Sequence, residues 1–473
     1  MTPTSRVRGD LLRFLFGFDQ RVGPREYAIA GLVLGALKLG VDVLVIRLLL
    51  PAAPLPLFLL PLTSLGQLLT RLPAGWGVVL ALWALPFMWI GVSLTIRRAA
   101  DAGRSPWWGL LFFLPWVNLA VFVVLSLARS APDADWRKEP AAREAGEMIR
   151  PALQAAAIGT LTGLILIVAF ARFAGAYTPG LFCGIPFVQG ALGAFLFNRR
   201  EPRPMRETMG VVFVTQLMVM GGVVLFALEG LLCVAMAIPL SFPIGCLGGV
   251  VGREIALRRP REIRMACLMV LALPIGGSLP SPPRPLDVAL TTIEVDAPPE
   301  VVWRHVVSFS ELPPPRETLF QIGVAYPVRA RIEGSGVGAV RRCEFSTGAF
   351  VEPITVWDAP SRLAFDVAES PLPMEEWSPW RDVYAKHLDS GFRSRRGEFH
   401  LVPLPGGRTR LEGRTWYTLT IEPHPYWRIQ ADAIVHTIHR RVLEHVKHLA
   451  EEDAQQVAAI HPPVPLDRSA HRP

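Results

Sequence analysis

The chain has 473 residues, room for about three domains at roughly 150 residues each. Hydrophobic residues make up 51% and charged residues only 19%, with a mean hydropathy of +0.35, which excludes a disordered chain and argues against an all-soluble one. The net charge of +8 and pI near 9.6 would suit a nucleic-acid binder, but the excess sits in short loops between apolar runs, where orientation in a membrane accounts for it. No nucleic-acid partner is therefore expected. Four of the five cysteines, Cys183, Cys233, Cys246 and Cys267, fall inside apolar runs and only Cys343 lies in polar sequence, so no disulfide framework is indicated.

From Tyr27 to Leu279 apolar runs recur with short polar breaks, and about 20 apolar residues suffice for a helix to cross a bilayer. Spans are expected near Tyr27 to Leu50, Gly75 to Thr95, Trp107 to Ala128, Ala152 to Phe173, Leu181 to Phe197, Met209 to Leu228 and Leu231 to Val251, with a shorter run at Met265 to Leu279. The arginines ahead of the first span are followed by no small-residue cleavage site, so a signal peptide is not indicated. Within the first span Lys38 and Asp42 stand one turn apart, a pair that neutralises itself within one helix or marks a polar path. Gly31 and Gly35, Gly159 and Gly163, and Gly245 and Gly249 have the small-x-x-x-small spacing of close helix packing.

Basic clusters orient the spans: Arg6 to Arg25, then Arg97, Arg98 and Arg104, then Arg199 to Arg206, then Arg253 to Arg264. All four favour the cytoplasmic side. Two, three and two spans lie between them, so one crossing is missing between Arg104 and Arg199. The expected remedy is a break in Trp107 to Ala128, which carries Pro115 and Asn118 at its centre, making it a re-entrant pair of half-helices.

Pro280 to Leu286 reads as a stiff linker. Histidine first occurs at His305, and the sequence beyond the linker alternates in the manner of a mixed α/β domain. A strand (Val288 to Val295), a helix (Glu300 to Phe309), several strands and a final long helix (Tyr426 to Glu452) are expected, then a disordered tail. The resulting domains are 1–130 and 151–279 in the membrane, joined by a linker at 131–150, then the linker 280–286, a soluble domain at 287–454 and the tail at 455–473.

Two stretches resemble the bacterial inner-membrane domain-of-unknown-function family 805. They are Phe16, Gly17, Phe18 with Arg21, Gly23, Arg25, Glu26 and Tyr27, and the run Arg97, Arg98, Ala99, Ala100, Asp101, Ala102, Gly103, Arg104, Ser105, Pro106, Trp107, Trp108. Ala99 and Ala100 stand where that family usually has Leu-His. The resemblance implies an inner-membrane protein, which also suits an Arg-over-Lys, Ala- and Pro-rich composition typical of GC-rich bacterial genomes. The soluble part, through Thr292 to Trp303 and through Leu411 to Tyr417, resembles the SRPBCC superfamily, of START-like or polyketide cyclase type. That implies a helix-grip fold, a curved antiparallel sheet wrapped around the C-terminal helix over a hydrophobic cavity. The fold class expected for the whole chain is a multi-span α-helical membrane protein with a C-terminal α+β helix-grip domain.

Period-two alternation sorts the strand residues into two faces. Cys343, Phe345, Phe365, Phe399, Leu401, Leu411, Thr415 and Tyr417 share the expected inner face, whereas Arg342, Glu344, Asp366, Glu398, His400, Arg410, Glu412 and Arg414 share the outer one. The inner face is expected to be almost wholly apolar, with Thr415 and Tyr417 as its hydrogen-bonding handles. On the final helix Trp427, Ala431, Ile434, Val435, Ile438, Val442, His445, Val446 and Leu449 form one stripe. Asp432, His436 and His439 lie on the other face, a spacing that can present metal ligands but is read as a solvated surface.

Candidate ligand-binding residues are Cys343, Phe345, Phe365, Phe399, Thr415, Tyr417, Trp427 and His445. No nucleophile elbow, Cys-x-x-Cys pair or phosphate loop is present, and no cofactor or metal is indicated. The leading expectation is a non-catalytic binder of a hydrophobic, lipid-like small molecule, with membrane lipids as partners and homo-oligomerisation left open. The alternatives are a cyclase-type enzyme using Tyr417 or His445 on a polyketide-like or isoprenoid substrate, and a lipid transporter with a hand-over domain. The soluble domain is expected in the periplasm if Met265 to Leu279 crosses the membrane.

Overall fold

The computed structural model describes residues 11–49, 76–113, 117–131, 149–170, 177–258, 274–275, 284–376 and 387–460, and divides the chain into two units, Met1–Arg284 and Pro285–Pro473. The run Met265 to Leu279 lies outside the described residues apart from 274–275, and so does 461–473, whereas 455–460, expected as tail, continue the final helix.

In the first unit the apolar runs form α1 (Pro24–Leu49), α2 (Trp76–Asp101), α3 (Val117–Leu127), α4 (Ile149–Ala169), α5 (Ile185–Asn198, entered through a π turn at Gly180–Gly184), α6 (Met205–Leu225) and α7 (Leu231–Ala256). Five of the described helical segments, 24–49, 149–169, 180–198, 205–225 and 231–256, are long and apolar enough to cross a membrane. The expected break after Trp107 is present. Pro106–Phe113 forms a 3-10 turn and α3 has only 11 residues, a rise of about 16 Å against the roughly 30 Å hydrocarbon layer. Between Arg104 and Arg199 two described helical segments, 149–169 and 180–198, are long and apolar enough to cross, the even number that the basic clusters call for.

The two membrane segments share one core. Phe18, Val92 and Ile96 pack with Phe187, Val188, Phe195, Val251 and Ile255. Small residues set the approach of α5 and α7: a side chain on Gly190 would collide with the Gly245 carbonyl, and one on Gly248 with the Phe187 carbonyl. Gly159 and Gly163 likewise face α5 and α6, whereas Gly35 faces open space. Lys38 and Asp42 form the expected intrahelical pair.

The second unit begins with β1 (Asp287–Val295), followed by α8 (Pro299–Val307) and α9 (Thr318–Gln321). β2 (Pro327–Glu333), β3 (Val340–Phe345), β4 (Gly348–Asp358) and β5 (Arg362–Asp366) come next, then α10 (His387–Ser390), β6 (Phe392–Leu404), β7 (Arg408–Leu419) and α11 (His424–Ile460). The strands form one antiparallel sheet in the order β1-β7-β6-β5-β4-β3-β2. Bulges in β2, β4 and β6 bend it. The 37-residue α11 packs on β1 and β7, so the expected helix-grip architecture is present. Its core joins Val302 and Val306 of α8 to Leu363, Phe365, Leu401 and Leu411 of the sheet and to Val442, Leu443 and Val446 of α11. Glycines mid-strand admit the closest neighbours: the Phe365 ring occupies the space a side chain on Gly397 would need, and Leu443 lies against Gly413.

Candidate functional site

The concave side of the sheet holds most of the residues singled out above. The register pairs Cys343 with Phe350, Phe365 with Gly397 and Phe399 with Gly413, so alternation sends these side chains inward. Cys343, Phe365, Tyr417 and Trp427 are buried, whereas Phe345, Phe350, Phe399, Thr415, Ile434, Ile438 and His445 are half-buried. Burial pushes the Cys343 thiol up to about 12, with the Glu352 charge adding and Arg341 opposing, so this cysteine is an inert packing residue.

The interior is not wholly apolar, which corrects the expectation. Arg341 of β3 stands directly opposite Glu352 of β4, both are buried, and the two side chains form an ion pair. The guanidinium lies 5.4 to 5.6 Å from the ring centres of Phe309, Phe365 and Phe399, and Nε donates to the Val307 carbonyl at 3.3 Å. Burial alone would lower the Arg341 pKa; Glu352, with Cys343 adding, raises it instead, so the cation is kept. Burial also lifts the Glu352 carboxyl above the usual carboxylate range, against the pull of Arg341. His445 is on the same side, its ring 6.1 Å from Phe309 and its Nε2 3.5 Å from Ser310 Oγ; burial lowers its pKa first, with a bond at Ser310 opposing.

A second correction concerns α11. Asp432, His436 and His439 do not form a solvated face; they meet the inward polar residues of β1 and β7. Tyr417 donates to Asp432 Oδ1 at 2.6 Å. Thr415 Oγ1 lies 2.8 Å from His439 Nε2, and Thr291 Oγ1 lies 3.0 Å from His439 Nδ1 and 2.7 Å from His436 Nδ1. Both ring nitrogens of His439 thus face hydroxyls. Burial, with His436 adding, pushes the His439 pKa down to about 4, and burial with Asp432 raises that of Tyr417. The three side chains do not converge on a metal point. The seam continues through Arg428, whose Nε is 3.4 Å from both Asp432 and Asp287, and Asp287 lies 2.8 Å from His424. Beside it an open groove of about 430 Å³ is lined by Thr291, Thr292, His436, Thr437 and Arg440 among others.

The first unit brings its two sequence motifs together in space. Arg97 and Arg98 are fully buried, not displayed at the surface. Arg97 donates to the Phe14 carbonyl at 2.5 Å, Ser93 to that of Gly17 at 2.6 Å and Trp89 to that of Phe16 at 3.0 Å. Asp101 gathers Arg98, Arg21 (3.1 Å) and Ser130. Arg258, just beyond α7, reaches the Phe18 carbonyl at 2.6 Å and Glu254 at 3.0 Å, and Arg253 donates to the Arg203 carbonyl at 2.9 Å. Members of all four basic clusters therefore meet at one end of the bundle.

Comparison with known proteins finds one matching family and several similar solved structures. Residues 15–135 match the family described as protein of unknown function (DUF805). No curated protein matches. Among solved structures, a protein from Nitrosospira multiformis is 19% identical and covers 36% of this chain and 99% of its own, with a TM-score of 0.23. Truncated norcoclaurine synthase from Thalictrum flavum is 16% identical, covering 35% of this chain and 94% of its own, with a TM-score of 0.23. A protein from Nitrosomonas europaea is 13% identical, covering 35% and 95%, with a TM-score of 0.23. No ligand or reaction comes to this chain from them; the helix-grip fold stands on the strand order and the gripped helix.

Proposed function

We propose that this integral membrane protein presents its helix-grip domain as a binding site for a hydrophobic, lipid-like ligand and catalyses no reaction. The observation that supports the reading is the set of apolar residues that stay half-buried, Phe345, Phe350 and Phe399 on the concave face and Ile434 and Ile438 on the apolar stripe of α11, as the lining of a small-molecule site would. What weighs against a cyclase-type reaction is Tyr417, whose hydroxyl is committed to Asp432. Native mass spectrometry of the purified full-length protein, followed by lipid extraction, tests the reading. A bound lipid at near-stoichiometric level that is lost in Ile438→Trp, which adds bulk to that stripe, is expected. A protein free of lipid, or one whose lipid persists in Ile438→Trp, refutes it.

We place the domain in the periplasm, supported by the convergence of the basic clusters at one end of the bundle and by the apolar sequence of Met265 to Leu279, which is long enough to reach about 22 Å if helical, a mismatch that local thinning of the bilayer accommodates. Cys343 is buried, so the reporter is Val337, 69% exposed between β2 and β3. Val337→Cys in spheroplasts is expected to react with a membrane-impermeant maleimide before lysis; labelling only after lysis puts the domain in the cytoplasm.

A further inference from the structure

The convex face of the second unit carries a surface that the ligand reading does not use. β1 is an edge strand, and its outward residues Val288 and Leu290 remain 38% and 43% exposed. Their cross-strand neighbours on β7 are Trp416 and Arg414. In β6 the bulge between Ser394 and Arg396 inserts one extra residue, so Arg395 turns out on the same face as Arg396. The Arg395 Nε lies 3.4 Å from Thr418 Oγ1, and the Arg396 guanidinium stacks 5.0 Å above Trp416. Glu398, its side chain only 5% exposed, lies beneath Arg362, Arg396 and Arg414 at 2.7, 3.7 and 3.6 Å. The outermost charges of this corner are therefore guanidinium groups, in a domain whose carboxylates otherwise outnumber its lysines and arginines.

Exposed aliphatic side chains, a tryptophan and a ring of arginines are the components of a membrane-interfacial surface. The aliphatics enter the headgroup layer, the indole sits at the boundary, and the guanidiniums pair with phosphate oxygens. The corner also lies at the start of the domain. Seven residues, Pro280 to Leu286, separate Asp287 from the apolar run that ends at Leu279, and fully extended they reach about 25 Å. A tether that short holds the domain at high effective concentration near a bilayer, so weak contacts suffice. We propose that the corner formed by Val288, Leu290, Arg395, Arg396, Arg414 and Trp416 docks on the anionic phospholipid surface of the membrane that anchors the chain. The proposal does not rest on the ligand reading.

The test uses the full-length protein in nanodiscs of phosphatidylcholine alone or with about 30% phosphatidylglycerol, footprinted with phenylglyoxal and read by peptide mass spectrometry. Arg395 and Arg414 are expected to lose about threefold or more of their modification in the anionic discs and to regain it at about 0.5 M salt. Arg304, 60% exposed on α8, serves as the unchanged control. Arg395→Glu, at an exposed bulge position where folding is retained, is expected to restore modification of Arg414 in anionic discs. Equal modification in the two lipids with no protection overturns the proposal. So does equal protection in both, which would mean that a protein surface covers the corner.

Discussion

Removing the carboxylate of Glu352 leaves the Arg341 guanidinium buried, ringed by Phe309, Phe365 and Phe399, with the uncharged Val307 carbonyl still accepting from it. Breaking one side of a buried ion pair costs about 3–5 kcal/mol, because the surviving charge has lost its compensation, not because the pair itself was worth that much. At roughly 2–4 °C per kcal/mol for a domain of this size, Glu352→Ala should lower the melting temperature of residues 285–460 by about 6–20 °C. Arg341→Met with Glu352→Leu removes both charges and keeps volume, so it should recover most of the loss or exceed the parent. Thermal unfolding followed by circular dichroism at neutral pH, for both single variants and the double, closes the cycle. A loss below about 1 kcal/mol for Glu352→Ala would show that the guanidinium reaches water, and the buried geometry argued above would be wrong.

The His439 seam should make the domain acid-sensitive. Its folded pKa of about 4 lies below the ordinary value of 6.5, so the unfolded chain binds the proton first; the stability it contributes is present above pH 6.5 and is lost as pH falls toward 4, by at most about 3 kcal/mol. His439→Gln should flatten the melting temperature between pH 7 and 4.5, and an unchanged slope would refute this origin. Tyr417→Phe, which strips a hydroxyl bond to a carboxylate, should cost about 1.5–3 kcal/mol, more than Glu412→Gln on the outer face in the same urea titration; equal losses would mean the strand register is off by one. In the membrane unit Asp101→Asn should weaken the grip on Arg98 and Arg21 and lower the temperature at which the detergent-solubilised protein loses its monodisperse elution peak, by several degrees, whereas Asp42→Asn, paired only within α1, should shift it less.

Alternation alone placed Cys343, Phe365, Phe399, Leu411 and Tyr417 on the inner face, and the register agrees. Arg341 has the same parity as Cys343 and Phe345, so its inward aspect was available two residues upstream; treating charge as a mark of the outer face concealed it. Glu398 shows the converse, an outer carboxylate sheltered by arginines from three strands, which no single strand can announce. The final helix misled for a related reason. Its apolar stripe suggested one buried face, but the inward positions of β1 and β7 include Thr291, Thr415 and Tyr417, and a polar patch on a sheet demands polar partners on the helix that covers it. Asp432, His436 and His439 supply them. Burial there extends beyond the apolar stripe, and Leu443 and Ala450, outside that stripe, are wholly buried.

The membrane unit shows why a family pattern can be specific and still say little about chemistry. Arg97, Arg98 and Arg258 donate largely to backbone carbonyls at Phe14, Leu125, Ala128 and Phe18, so guanidinium groups bind turns and helix ends whose carbonyls would otherwise face an apolar layer without partners. Arginine suits this task, since its five donors bridge several acceptors at once and its charge is not readily lost. Ala99 and Ala100, which replace the Leu-His of the resembling family, are 0% and 4% exposed, Ala99 within the cluster of Tyr27, Leu94 and Leu125. A bulkier pair there would need that cluster to open, so the departure is a packing change around a latch that remains intact. Because Arg258 and Glu254, outside the matched residues 15–135, complete the latch from α7, the matched segment and the helices that follow it form one folding unit rather than two modules in series.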